Sequence, residues 1–313
     1  MTHPQTTAPV LVTGASGYIA SWVIQKLLTQ GYTIHATVRD LNKSKSFAHL
    51  EKIADSTPGT LKLFQANLLS PGSFDQAMQG CEIVFHMASP FVVTNYKDAV
   101  KDIIEPAVLG TENVLNSVNQ TESVKRVIVT SSIASTYGDA IDILQTENNS
   151  FDESCWNTTS SATHQPYPYS KVMAERKAWE MAEAQDRWDL VCINPALVFG
   201  QSLTPNTQSG SVEVLQQFAN GMTLLGVPPM WNGVVDVQDV AEAHLRAAFK
   251  PEAHGRYIIC SESLSLLEMG QILRENFGNK FPFPRNQLPK AAFKLFGPLA
   301  GFSPKFVELN MGY

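Results

Sequence analysis

Short apolar runs alternate with stretches of helical periodicity along most of the chain. Val10-Leu11-Val12-Thr13 comes first and has the length and composition of a strand covered on both faces. An amphipathic stretch follows to Gln30 and is stopped by Gly31. Runs at Thr33 to Val38, Leu61 to Ala66, Glu82 to Pro90 (a strand running into a small-residue turn), Val127 to Ser132, Asp189 to Asn194 and Gly255 to Cys260 bring the predicted strands to seven. Between them, Ile104, Val108, Thr111, Leu115 and Val118 recur at helix spacing, with Pro106 either bending that helix or marking its entry. A long helical pattern starts near Tyr167, and another places Val237, Val240, Ala241, His244, Leu245 and Ala248 on one side. Strand-helix alternation of this kind predicts an α/β fold: a doubly wound, mostly parallel sheet with helices on both faces.

The pattern changes after Gly200. Gln201 to Gly210 is polar and contains proline, a helix-like stretch runs to Gly221, and Gly226 to Gly233 reads as irregular. A larger domain over 1–200, rejoined by 234–260, and a smaller C-terminal lobe from 201–233 and 261–313 are therefore expected. Asp139 to Thr163 is a long polar loop in which Phe151 and Trp156 are the expected anchors.

Composition narrows the classes. With 29 acids against 23 Lys+Arg the formal net charge is -6, which excludes the basic footprint of a nucleic-acid or anionic-membrane partner. Cys81, Cys155, Cys192 and Cys260 have no ligand spacing, and His86 and His244 sit in structural runs, so no metal site is expected. Scattered free thiols fit a reducing compartment. Residues Met1 to Pro9 lack the pattern of a signal peptide, and no apolar run is long enough to span a bilayer. The expected location is cytoplasmic. Met311-Gly312-Tyr313 closes the chain without an evident terminal element, which leaves open a continuation beyond it.

The first strand meets Gly14-Ala15-Ser16-Gly17-Tyr18-Ile19-Ala20 and then a helix. In this context Gly14 permits a tight turn, Gly17 admits a pyrophosphate, and small Ala20 lets helix and strand pack closely. Free N–H groups at the helix start then face the anion. The second strand ends in Arg39, ahead of Asp40, Lys43 and Lys45. A cation there suits the 2'-phosphate of NADPH, whereas an acid would suit the ribose diol of NAD. Lysines in such a loop also serve simply as solvated charges. Serines at the end of the fifth strand are either turn formers or hydroxyls aimed at a carbonyl oxygen. Tyr167 and Lys171, four apart on a helix, share one face, where the lysine charge favours the phenolate. The same pair occurs by chance on ordinary surfaces; the glycine turn and the serines give it weight.

Together, Thr13 to Ala20, Thr37-Val38-Arg39-Asp40, Ala88-Ser89-Pro90-Phe91, Thr130-Ser131-Ser132, Tyr167 with Lys171, and Asn194-Pro195 with Val198 and Gly200 resemble the extended short-chain dehydrogenase/reductase family over essentially the whole chain. Phe151-Asp152-Glu153-Ser154 with Trp156 adds to a likeness with the dihydroflavonol reductase, cinnamoyl-CoA reductase and yeast methylglyoxal (carbonyl) reductase group. The resemblance implies a Rossmann NADP-binding domain and a catalytic trio of Ser132, Tyr167 and Lys171, with Ser132 preferred to Ser131. Tyr167 would give the proton, Lys171 would hold the nicotinamide ribose and lower the tyrosine pKa, and Ser132 would polarise the carbonyl. Implied cofactor contacts are Gly14, Ser16, Gly17, Tyr18 and Ile19 in the turn, then Arg39, Lys45, Asn67, Leu68, Ala88 and Ser89. Lys171, Pro195, Ala196, Leu197 and Val198 complete that set. Asn67 departs from the aspartate usual in relatives, and its amide oxygen remains able to accept from an adenine amino group.

Phe91, Ser132, Ile133, Tyr167, Met230 and Trp231 are the candidate substrate contacts, the large apolar ones suggesting a hydrophobic or aromatic carbonyl compound. They also serve lobe packing in many proteins. The expected activity is reversible, NADPH-dependent reduction of an aldehyde or ketone, with NADH as a weaker donor. An NAD-dependent sugar-nucleotide epimerase or dehydratase shares the trio but wants a cation-lined pocket. A nucleotide-sensing binding protein would not need the trio. Either a monomer or a homodimer fits the pattern.

Overall fold

A computed structural model describes residues 7–90, 96–204, 207 and 209–313. In chain order the elements are β1 (Val10–Val12), α1 (Tyr18–Thr29), β2 (Thr33–Val38), α2 (Ala48–Asp55), β3 (Thr60–Gln65), α3 (Asp75–Met78) and β4 (Ile83–His86). Then come α4 (Glu105–Gln120), β5 (Arg126–Thr130), α5 (Pro166–Glu183), β6 (Asp189–Pro195), β7 (Leu197–Phe199) and α6 (Gly210–Ala219). The last part holds β8 (Trp231–Asp236), α7 (Val237–Phe249), β9 (Gly255–Ile259), β10 (Glu262–Ser265), α8 (Leu266–Phe277), α9 (Lys290–Phe296) and α10 (Pro304–Asn310).

All seven expected strands form one sheet, ordered β3-β2-β1-β4-β5-β6-β9 and parallel throughout. The period-2 alternation of β1 shows why the runs are continuously apolar. Val10 and Val12 join the core beneath α1 and α7, with Ile24, Leu27, Ile34 and Leu245. Leu11 points the other way, into the core with Met78, Val84, Leu115 and Val127. A side chain as fully buried as Leu27 or Ile34 contributes about 2 kcal/mol through burial alone. Strand order reverses between β1 and β4, so the crevice outside their carboxyl ends is where this topology admits a ligand.

Two readings of the sequence need correction. Residues 226–233 are not irregular throughout, because Trp231–Asp236 is a strand. It pairs parallel with β7 and antiparallel with β10, making a second, three-stranded sheet over Phe218, Val227, Met269 and Phe283. Trp-Asn-Gly is a weak strand signal by itself, and both partners are distant in sequence; tertiary pairing decides. Secondly, α10 lies just before the last three residues, its Ser303 cap accepting from Phe306 N. Pro106 stands in the first turn of α4, directly after a π-helical turn at Val100–Ile104.

Candidate active site

The glycine turn is built from its neighbours. Thr13, fully buried, accepts from Met87 N and Ala88 N at 3.0 Å each, which locks the end of β1 to the end of β4. Its hydroxyl pairs with His86 Nδ1 at 3.1 Å. Burial, with the Lys171 charge adding to it, pushes His86 down to about 4, so it stays neutral and structural. Gly14 has φ +67, and a Cβ there would lie 2.8 Å from Ala88 Cα, so both conformation and space require glycine. Gly17 N donates to Gly14 O at 2.9 Å, and Gly17 caps α1 without any side-chain bond. The first N–H groups of α1 are thus left for an anion. Ser16 is half-buried in this turn. Tyr18 is buried and donates to Gly200 O at 2.9 Å; burial and then Asp236 push its hydroxyl up to about 12.

At the next strand ends, Arg39 and Lys45 are exposed, and neither is in an ion pair among the described residues. Asn67 is exposed, its Oδ1 accepting from Leu69 N at 3.1 Å with a second lone pair to spare. Leu68 lies under α4, its carbonyl held by Asn113 Nδ2 at 2.7 Å. Leu68, Ala88 and Ser89 line a small cavity behind Lys171.

The trio converges. Ser132 follows β5, and its Oγ accepts from Ala134 N at 3.2 Å, which leaves the hydroxyl proton for another acceptor. Ser131 instead donates to Glu175, so the two serines have separate tasks. Tyr167 and Lys171 share a face of α5, with Lys171 Nζ 5.6 Å from the tyrosine ring centroid. Lys171 Nζ donates to Ser89 Oγ at 2.9 Å, tying α5 to the end of β4. Burial pushes the Tyr167 phenol up to about 12, with the Ser132 hydrogen bond acting in the opposite direction. Burial likewise pulls Lys171 down to about 8 against the opposing charge of Glu175. Burial thus moves the tyrosine pKa in the opposite direction to the lowering expected from Lys171, with only the Ser132 hydrogen bond acting against it. A high pKa keeps the phenol protonated, the form that gives a proton.

These groups open on a cleft of about 480 Å³. Gly17, Tyr18, Ile19, Ser89, Ser132, Ile133, Tyr167 and Lys171 line it, as do Pro195, Ala196, Leu197, Val198, Met230 and Trp231. Gly14, Ser16, Arg39, Lys45, Asn67, Leu68 and Ala88 are not in that lining, and Phe91 lies outside the described residues. Tyr169 is not a lining residue. Sequence reasoning missed Tyr137, Ala140, Gln165, Phe306 and Asn310. Gln165 adopts φ 56 at the start of α5, where its Nε2 donates to Gly138 O and Asp139 Oδ1 at 2.7 Å each. The i, i+4 spacing of Phe306 and Asn310 puts them on one helix face, but nothing local shows which surface that face meets. Among the described residues, Lys171 is the only charged side chain in the lining.

Residues 10–260 match the family model described as the NAD dependent epimerase/dehydratase family. A cinnamoyl-CoA reductase of Medicago truncatula is 40% identical over 284 residues, covering 90% of this chain and 82% of that protein. An anthocyanidin reductase of Arabidopsis thaliana is 38% identical over 280 residues, covering 85% and 79%. Yeast methylglyoxal/isovaleraldehyde reductase Gre2, solved with NADPH, superposes with a TM-score of 0.74 at 26% identity, covering 96% of each chain. The chain belongs to the NAD-dependent epimerase/dehydratase family.

Within this family, the extended short-chain dehydrogenases/reductases, the chain is an NAD(P)H-dependent oxidoreductase whose relatives are reductases of small molecules. No helix among the described residues is long and apolar enough to cross a membrane. The residues present fit the family's dinucleotide. Gly14, at φ +67, lets the turn close against Ala88, Gly17 leaves α1 uncapped by a side chain, and Arg39 stands exposed at the end of β2.

Proposed function

We propose that the chain reduces neutral, hydrophobic aldehydes and ketones, aromatic ones included, with NADPH as the preferred donor over NADH. When bound, the dinucleotide supplies the hydride. Tyr167 gives its phenolic proton to the carbonyl oxygen, and Ser132 donates a hydrogen bond to that oxygen as charge develops on it. Lys171, behind the tyrosine and bonded to Ser89, holds the ribose side of the dinucleotide. Gly14, Ser16, Gly17 and Ile19 make room for the pyrophosphate, with Asn67 and Leu68 beside the adenine. Arg39, with Lys45 near it, pairs with the 2'-phosphate.

One observation carries the reading: Ser132, Tyr167 and Lys171 meet in a cleft whose remaining described lining is uncharged. Ile133, Met230 and Trp231 offer apolar contact there. A sugar-nucleotide diphosphate would need cations in that wall, so the epimerase reading is the weaker one. In the proposed arrangement, 1–200 with 234–260 carries the dinucleotide, and 201–233 with 261–313 shapes the substrate side.

The test is NADPH oxidation across paired substrates, a neutral aromatic aldehyde beside its carboxylate analogue, with a UDP-hexose assayed for epimerisation. Turnover of the neutral aldehyde well above its anionic analogue is expected. Epimerisation without carbonyl reduction would overturn the proposal.

A further inference from the structure

Glu175 lies one turn beyond Lys171 on α5, 1% exposed, and no step of the proposed reduction uses it. A buried carboxylate is costly unless it is paired and hydrogen-bonded, and this one is saturated. Its Oε2 accepts from Ser131 Oγ, from Ser135 Oγ at 2.5 Å and from Asn194 Nδ2 at 2.8 Å. Its Oε1 accepts from Arg256 Nε at 2.6 Å. The donors come from three strand ends. Ser131 and Ser135 bracket Ser132 after β5, Asn194 lies near the end of β6, and Arg256 is in β9.

The same donors hold the backbone of Ser132. Asn194 Nδ2 lies 3.2 Å from the Ser132 carbonyl oxygen. Ser135 Oγ is 2.7 Å from that oxygen as well as 2.5 Å from Glu175, and its one proton serves a single acceptor at a time. Arg256 fixes the other end of the hub: its Nη1 donates to Glu153 O at 2.9 Å and Cys155 O at 2.5 Å, and its guanidinium lies 3.9 Å from the Trp156 ring centroid. The carboxylate thus ties the helix carrying Tyr167 to the turn carrying Ser132.

We infer that Glu175 is a positioning residue for the reaction: clamped by Arg256, it holds the Ser131–Ser135 turn against α5 and so sets Ser132 in reach of Tyr167. The inference rests on the proposed reduction. Two donors must converge on one oxygen, and a misplacement of about 1 Å is enough to cost on the order of 100-fold in rate.

The experiment compares Glu175→Gln and the double variant Ser131→Ala/Ser135→Ala, each with and without Ser132→Ala. Turnover of a small aromatic aldehyde is read beside NADPH affinity by fluorescence titration and fold by circular dichroism. The serine variant keeps the Glu175–Arg256 pair and carries the test if Glu175→Gln fails to fold. Turnover should fall about tenfold or more, with NADPH affinity unchanged in the serine variant, which leaves the Glu175 charge near Lys171 in place. Adding Ser132→Ala should then cost far less than it does in the wild type, because the two changes act on one contact. Unchanged turnover, or additive losses, would overturn the inference while leaving the proposed function standing. A wild-type protein that reduces none of the aldehydes removes the function, and this role with it.

Discussion

Asn310 Nδ2 donates to Asp139 Oδ1 at 2.6 Å, joining α10 to the loop after Ser132. Asp139 is 2% exposed and also accepts from His164 Nε2 and Gln165 Nε2, so one carboxylate gathers α10, the loop and the entry to α5. Asn310 Oδ1 returns the contact by accepting from Ala140 N at 2.9 Å. Asn310→Ala removes a donor to a buried charge and should lower stability by about 2 kcal/mol. Urea unfolding measures it. An unchanged midpoint would show that water replaces the amide and that α10 docks through Phe306 and Val307 alone.

That contact also marks the boundary of what the sequence could tell. The seven strands were legible because each is a short apolar run buried on both faces, as the opposite destinations of Val10 and Leu11 show. The glycine turn and the Tyr167–Lys171 pair were legible because their spacing is local. Asp139–Asn310 and Glu175–Arg256 were not, since each joins residues far apart in the chain by a pairing no periodicity records. Strand β8 failed for the same reason: Trp231-Asn232-Gly233 pairs with β10 across distance, against its own weak propensity. The upward direction of the Tyr167 shift was not legible because it comes from burial, which residue spacing does not reveal.

Arg39 is exposed at the end of β2 and in no ion pair among the described residues, so its guanidinium is available for a bidentate bond to a 2'-phosphate. Arg39→Ala should raise the Michaelis constant for NADPH by about tenfold or more, from the loss of a charge-assisted bond, and leave that for NADH nearly unchanged. Steady-state kinetics with both donors decides it. Equal effects would make Arg39 a solvated bystander.

The pH dependence follows from the two shifted groups. Lys171 is pulled down to about 8 and Tyr167 is pushed up to about 12, both first by burial. The phenol therefore keeps its proton across the neutral range, and the first charge lost as pH rises is that of the Lys171 ammonium. Aldehyde reduction should be flat below about pH 8 and fall above it. Lys171→Met should act slowly and show no such fall. A wild-type profile that holds level to pH 10 would show that the ammonium has no part in turnover.

Tyr167→Phe tests the account most directly, because it keeps the ring that packs the cleft and deletes only the hydroxyl. The measurement is single-turnover hydride transfer to a small aromatic aldehyde by NADPH-saturated protein, with NADPH affinity determined on the same preparation. The account predicts a rate lower by about 100-fold or more, as for loss of a positioned general acid, with NADPH binding unchanged. Hydride transfer near the wild-type rate in a folded Tyr167→Phe protein would contradict it.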